Sequence, residues 1–314
     1  MLNILRMLSM ISLDNKGLPL VTVFTLIYNT NPEFVIEAIE SIRAQTYPNI
    51  QHIIIDDCST RTESKEVVKK WIAESNYDCV FVEHDRNFGI CKSVNHVLEL
   101  AKGDFILGCC DDLLLPNAVE EQLIFLKKEN CRVVFCKIAL FGNLKQPEWR
   151  PNPDYVQGFN QLSNTEQFHK LCNTNFIPAI GVMVAKAVYE DIGQYDEALR
   201  FEDYDLWLRV LRKEKIKYND MLLAKYRVHD SSFSAVFNDW DSDYLNIYIK
   251  HLDFSTEAIR KVETIAISAY RNTRSDILRK AFLYKSFSFR LRLLFVFYTL
   301  KVPIWLGYRI LWRL

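Results

Sequence analysis

The sequence predicts an α/β protein built on a mostly parallel sheet with flanking helices and a helical C-terminal region. Two observations lead there. Near-continuous apolar, β-branched runs alternate with single stretches of helical periodicity, the order that generates right-handed βαβ units. Four successive runs also end in polar or acidic clusters: Tyr28-Asn29, Asp56-Asp57, Arg86-Asn87 and Asp111-Asp112. In a parallel sheet those ends line one crevice, where ligands bind.

Leu18 to Leu26 (LPLVTVFTL) reads as a strand covered on both faces. Asn31-Pro32-Glu33 opens a helix, with Asn at the cap, Pro at the first position and an acid in the first turn. Phe34, Val35, Ala38, Ile39 and Ile42 then repeat at helical spacing. His52 to Ile55 predicts the second strand, followed by a charged helix bearing Val67, Val68, Trp71 and Ile72 on one face. Cys79 to Val82 predicts the third, followed by His84-Asp85-Arg86-Asn87-Phe88-Gly89 and a helix through Ala101.

The fourth strand lies in Gly103 to Pro116, GDFILGCCDDLLLP. An apolar run terminating in adjacent carboxylates puts like charge at the edge of a low-dielectric core, which calls for a cation or donor groups. The plainer alternative is a charged turn between two buried elements. A helix from Pro116 and a strand from Val133 to Leu140 follow, and 141–176, with Pro147, Pro151 and Pro153, reads as a long surface excursion. Order is expected to return at Ile177 to Val184, and a further strand is expected at Met221 to Val228. Between them lies the charged block Glu202-Asp203-Tyr204-Asp205. Acids there serve a helix N-terminus as readily as a reaction.

Composition narrows the function. With 39 basic and 39 acidic residues, the chain lacks the overall positive charge of a nucleic-acid binder. No G-x-x-x-x-G-K-[ST] and no G-x-G-x-x-G follows the first strand, which argues against a P-loop enzyme or a dinucleotide dehydrogenase. Eight cysteines without a C-x-x-C pair fit a reducing, cytoplasmic setting. The short apolar N-terminus is broken by Arg6 and is not read as a signal peptide, and no stretch offers eighteen uninterrupted apolar residues.

Taken in order, VTVFTLIYN, Ile53-Ile54-Ile55-Asp56-Asp57-Cys58-Ser59, Asn87-Phe88-Gly89, Ala101-Lys102-Gly103-Asp104-Phe105-Ile106, Gly193-Gln194-Tyr195-Asp196, Glu202 to Arg209 and Tyr226-Arg227-Val228-His229 resemble the blocks of bacterial family 2 glycosyltransferases. The resemblance spans Leu18 to Ser234. It implies a GT-A fold and inverting transfer of a sugar from a nucleotide-sugar, a UDP-sugar in the first instance, to a hydroxyl. Asp57 resembles the acid that hydrogen-bonds uracil, with Tyr28 and Asn29 beside the base and Asn87 and Asp111 lining the pocket. Asp112 resembles the last acid of the D-x-D motif, which holds Mn²⁺ or Mg²⁺ between the donor phosphates, and His229 a late histidine that reaches the metal or diphosphate. Asp203 falls where the family places its catalytic base. Two positions depart from the pattern: Cys58 replaces the glycine of D-D-G-S, and Cys110 stands at the first acid of D-x-D.

On this reading 1–17 is an N-terminal extension. Residues 18–234 are the transferase domain, with a nucleotide-binding half (18–140) and an acceptor half (141–234), and 235–314 is a helical basic and aromatic region. From Ser255 to Leu314 there are twelve Lys or Arg and three Asp or Glu. Arg290 to Leu314, divided by Pro303, combines those cations with Trp305, Tyr308 and Trp312, a composition suited to the membrane interface. The alternative is a helix pair packed on the core or a dimer contact. Attachment to the inner face of the plasma membrane would put the enzyme beside a polyprenol-linked or surface saccharide acceptor. Two rival readings stay open at this level: a nucleotidyltransferase, and a non-catalytic carbohydrate-binding scaffold whose metal site has decayed at Cys110.

Overall fold

β1 (Val21–Ile27) buries six of its seven residues and sits inside the sheet, as its apolar run requires. It pairs in parallel with β2 (Ile50–Asp56) on one side and β4 (Phe105–Gly108) on the other, and β3 (Val80–Glu83) adds in parallel to β2. The crossovers are helical: α1 (Pro32–Arg43), α2 (Thr62–Ser75) and α3 (Ile90–Leu100). α1 starts as its sequence predicts. The Asn31 side chain accepts a hydrogen bond from the Glu33 amide, Pro32 opens the first turn, and Val35, Ala38, Ile39 and Ile42 are buried.

The computed structural model describes residues 17–75, 77–200, 203–230 and 239–311. The expected N-terminal extension therefore lies almost wholly outside the described residues. Those described form two compact units, one containing 17–167 and 175–230, the other 168–174 and 239–311.

In the first unit the chain continues through β5 (Leu113–Leu114), α4 (Ala118–Glu129), β6 (Val133–Gly142), β7 (Trp149–Arg150), α5 (Pro153–Val156), the start of α6 (Asn164–Asn173, assigned to the second unit from Phe168), β8 (Val182–Ala185), α7 (Lys186–Ile192), α8 (Asp203–Leu211) and β9 (Lys217–Val228). The strand order is β3-β2-β1-β4-β8-β6-β9-β5, with β7 paired to β6. Parallel ladders carry most of the registered pairs, so the sheet is mostly parallel as predicted. β8 runs antiparallel to both β4 and β6, which alternation of strands and helices does not foretell. The stretch 141–176 is also more ordered than expected. It extends β6, returns as β7, and includes α6, because Phe159, Phe168 and Leu171 are apolar enough to be fully buried.

β3, β2, β1 and β4 are neighbours and parallel, so their carboxyl ends share one edge of the sheet. Chain order reverses across β1, making the β1–β4 gap the switch point where such sheets open a crevice.

The second unit is helical: α9 (Trp240–Ile249), α10 (Thr256–Arg271), α11 (Ser275–Phe282), α12 (Phe289–Thr299) and α13 (Ile304–Leu311). α10 is capped by Ser255, whose hydroxyl accepts from the Glu257 and Ala258 amides. No helix among the described residues is long and apolar enough to cross a membrane.

Candidate active site

At the end of β2, the side chains named by sequence are already committed to one another. Asp57 Oδ1 meets His84 Nδ1 at 2.8 Å and accepts from the Phe88 amide at 2.9 Å, while Oδ2 accepts from the Gly89 amide at 2.8 Å. His84 Nε2 in turn lies 2.9 Å from His96 Nδ1. Asp57 is thus the clasp that fixes the loop entering α3. Its neighbour Asp56, 1% exposed, accepts only from the Ser59 amide through Oδ2. Asp56 Oδ1 is buried and has no hydrogen-bond partner among the described residues. A buried carboxylate oxygen without a donor is costly and marks a place where a ligand N–H or an ordered water belongs. Sequence reading chose Asp57 of the pair, and only the hydrogen bonds separate the two.

Asn29 sits beside this tip in a left-handed backbone conformation (φ 52°), which Asn tolerates. Its side-chain oxygen accepts from Thr60 Oγ1 and the Arg61 amide, and its own amide donates to Ser59 Oγ. Its side chain therefore shapes the loop after β2. Tyr28 is 49% exposed, a ring available for stacking. Asn87 is exposed at the end of β3, the sheet's edge strand, and its neighbour Arg86 lies over the Phe88 ring at 4.8 Å.

The end of β4 meets the end of β9. Asp112 is 8% exposed, and its Oδ1 accepts from the Arg227 amide at 2.7 Å. Burial, and then the charge of Asp111 beside it, push its carboxyl well above the usual carboxylate range. Asp111 is the more accessible acid, and its Oδ2 lies 2.8 Å from His229 Nε2. Arg227 holds the two strand ends together. Its Nε donates to the Asp111 carbonyl at 2.7 Å, Nη2 pairs with Glu37 at 2.6 Å, and its guanidinium lies between the rings of Phe34 and Phe141, 4.2 and 4.4 Å from their centroids. Phe34 also packs against the His229 ring. Sequence reading gives Asp112 the leading metal role; here its Oδ1 accepts from the β9 backbone, and Asp111 is the acid whose carboxylate meets His229. Arg227 and Glu37 were not singled out, although Arg227 stands inside the Tyr226-Arg227-Val228-His229 block.

Asp203 begins α8, where its Oδ1 accepts from the Tyr204 amide at 2.7 Å. Glu202 lies outside the described residues, and Asp205 is fully buried on Arg209, which it holds at 2.8 Å. Arg209 in turn donates to the carbonyls of Ile192, Gly193 and Gln194, so Asp205 fixes the α7–α8 connection. That leaves Asp203 as the half-buried acid of the block. It borders a cavity of about 40 Å³ with Phe24, Gly108, Tyr189, Tyr195 and Trp207, enough for a water or two. Trp207 Nε1 is buried with no partner among the described residues. Gly108 is required here, since a Cβ would meet the Phe24 ring at 2.8 Å. Burial raises the Asp203 carboxyl to about 6. Gly108 lies three residues before Asp111, so the base candidate borders the same strand end as the acidic tip.

The carboxylate and imidazole of Asp111 and His229 suit Mn²⁺ or Mg²⁺ in kind. Among the described residues no group of three or more His, Cys, Asp or Glu is placed to hold a cation. Two protein donors are compatible with a metal that takes most of its shell from phosphate oxygens and water.

Residues 22–193 match the sequence profile described as glycosyl transferase family 2. The chain belongs to that family. Over 227 residues this glycosyltransferase is 31% identical to an uncharacterized glycosyltransferase of Rickettsia typhi, covering 69% of its own length and 67% of the relative's. It spans only 39% and 34% of two longer curated relatives, from Rickettsia felis and Rickettsia bellii. Its fold is similar to that of Staphylococcus aureus TarS 1–349 in complex with UDP-GlcNAc, with a TM-score of 0.66 at 16% identity over 93% of this chain and 90% of that one. It is also similar to the mannosyltransferase PcManGT of Pyrobaculum calidifontis in complex with GDP-Man and Mn²⁺, with a TM-score of 0.57 at 14% identity over 93% and 82%. At these identities the likeness is one of fold.

Proposed function

We propose that this glycosyltransferase moves a sugar from a UDP-sugar to an acceptor hydroxyl with inversion, using Asp203 as the base. The observation that carries the proposal is Asp203 itself: half-buried, beside the crevice at the β1–β4 switch point and, of the two described acids of its block, the one not paired with Arg209. A carboxyl held near 6 is mostly ionised at neutral pH and is a stronger proton acceptor than an ordinary aspartate. One acid with no protein nucleophile implies direct displacement at the anomeric carbon: the acceptor oxygen attacks, the nucleoside diphosphate leaves, and the hydroxyl proton passes to Asp203.

In the same proposal Tyr28 stacks on the nucleobase and Asp56 Oδ1 takes a base N–H, while Asp57 holds the loop beneath. Asp111 and His229 hold a divalent metal, and Arg227 and Asp112 fix their positions. The metal, when bound, stabilises negative charge on the departing diphosphate. The UDP and Mn²⁺ choices are supported by the bound ligands of the two solved neighbours and by this donor set. A lipid-linked or surface saccharide is the acceptor class that the basic C-terminal region favours.

Incubation with a panel of UDP-, GDP- and dTDP-sugars, with and without Mn²⁺, tests the whole. We expect slow UDP release from one donor in the wild type. Asp203→Asn should retain donor binding and lose turnover by a factor on the order of 10²–10⁴; full turnover in that variant removes Asp203 as base. Donor binding without any turnover under all conditions supports the scaffold reading instead.

A further inference from the structure

Large apolar side chains left in solvent are concentrated in the second unit. Of the seventeen among the described residues, nine lie between Leu283 and Ile310. α13 shows how this arises. Its Gly307 and Leu311 are buried, and a Cβ at Gly307 would meet the Tyr270 hydroxyl at 2.9 Å, so this face is pressed onto α10. The remaining turns expose Ile304, Leu306, Ile310 and Trp305, the last at 68%. α12 likewise buries Leu291 and Leu294 while Phe289, Val296 and, just beyond it, Leu300 face solvent. Exposed apolar surface gathered on consecutive helices marks an interaction site.

Between α10, α11 and the α12–α13 turn lies a cavity of about 360 Å³, within the roughly 300–1,000 Å³ of small-ligand sites. Leu278, Phe297, Val302 and Ile304 give it apolar walls, and Tyr298 and Lys301 supply polar groups. Lys301 occupies a left-handed conformation (φ 53°), and its ammonium makes no hydrogen bond or ion pair with any described residue. The hydroxyl-bearing side chains of Tyr298 and Ser275 line the same cavity.

We propose that this cavity receives the phosphate of an anionic phospholipid at Lys301 and the Tyr298 hydroxyl, with Leu300, Ile304 and Trp305 seated among the surrounding acyl chains. The unit then lies in the interface of an acidic bilayer. Charge selects this occupant. The twelve cations and three anions between Ser255 and Leu314 are complementary to acidic headgroups, whereas a symmetric pairing of two copies through this unit would bring like charge against like. The proposal rests on the C-terminal unit alone and stands whether or not the transferase reading does.

Sedimentation of the full chain with vesicles provides the test. We expect binding to equimolar phosphatidylcholine–phosphatidylglycerol vesicles, release at high salt, and little binding to phosphatidylcholine alone. Lys301→Glu should weaken binding by about tenfold or more, since each cation near such a surface is worth about 1 kcal/mol and the change reverses one. Arg292→Glu makes the same charge change at an exposed site on α12 that does not line the cavity, and should lose several-fold less. Trp305→Ser should weaken binding with no change in melting temperature. Equal losses in Lys301→Glu and Arg292→Glu overturn the phosphate site. Absence of binding to the mixed vesicles, or a wild-type dimer in light scattering that Trp305→Ser dissociates, overturns the proposal as a whole.

Discussion

At the end of β2, three donors clasp Asp57 while Asp56 keeps one oxygen uncommitted. At the end of β4, the β9 backbone clasps Asp112 while Asp111 meets His229. Both tips carry the same pair of residues, and in both the second acid accepts from backbone amides. In the proposed function the first meets the ligand. At each tip the two neighbouring carboxylates face different partners. The tips differ in accessibility: Asp56 is buried, suited to a directional hydrogen bond with a flat base, whereas Asp111 is partly open, suited to a hydrated cation.

The comparison can be broken most forcefully at Asp111. Asp111→Ala should lower metal-dependent turnover by a factor on the order of 10² with little change in melting temperature. If Asp112→Asn instead abolishes metal stimulation and leaves stability intact, the two roles are reversed.

Asp57→Ala comes next. It strands the Phe88 and Gly89 amides and His84, at a cost of about 2–4 kcal/mol in urea unfolding. Asp56→Asn should raise the donor KM about tenfold while unfolding at nearly the wild-type midpoint. A stable Asp57→Ala with impaired donor binding would return the base-reading role to Asp57.

Asp203 sharpens the contrast, because burial outweighs the hydrogen bond it accepts from the Tyr204 amide. With the carboxyl near 6, kcat/KM should rise with pH through about 6 and level off above 7. The folded state binds this proton more tightly than the unfolded chain, whose carboxyl titrates near 3.8. Stability from this group is therefore greatest below that value and declines as pH rises toward 6. Asp203→Asn should flatten that decline and raise the melting temperature at pH 7 while removing activity.

The smallest effect is expected at Cys58, which adopts φ 60° between Asp57 and Ser59. Cys58→Gly should relieve backbone strain and stabilise by about 0.5–1 kcal/mol, read from thermal unfolding, with the donor KM unchanged.

Much of the first unit was legible because burial on both faces leaves a direct trace in composition. β1, β2 and β4 appear as apolar runs, and Asn31-Pro32-Glu33 announces the start of α1. The antiparallel β8 was not legible as such. Its apolar run reads the same in either direction, and direction is set by the path of 141–181. His84 and His96, twelve residues apart, carry no spacing signal, since one comes from the end of a strand and the other from the middle of a helix. Of the C-terminal anchors, Trp305 is exposed as its composition suggests, whereas Trp312 and the side chain of Tyr308 lie outside the described residues.

Sequence alone determined which strands the chain would make, that their polar ends would share an edge, and which acids were eligible for chemistry. Those properties follow from local pattern and from the chirality of βαβ connections. Folding decided how the eligible acids were divided, because a carboxylate's role depends on the donors brought to it from elsewhere. Arg227 reaches Asp112 across 115 residues, and the Gly89 amide reaches Asp57 across 32. No local pattern encodes those contacts, and they decide which charges are satisfied within the protein and which remain for a substrate.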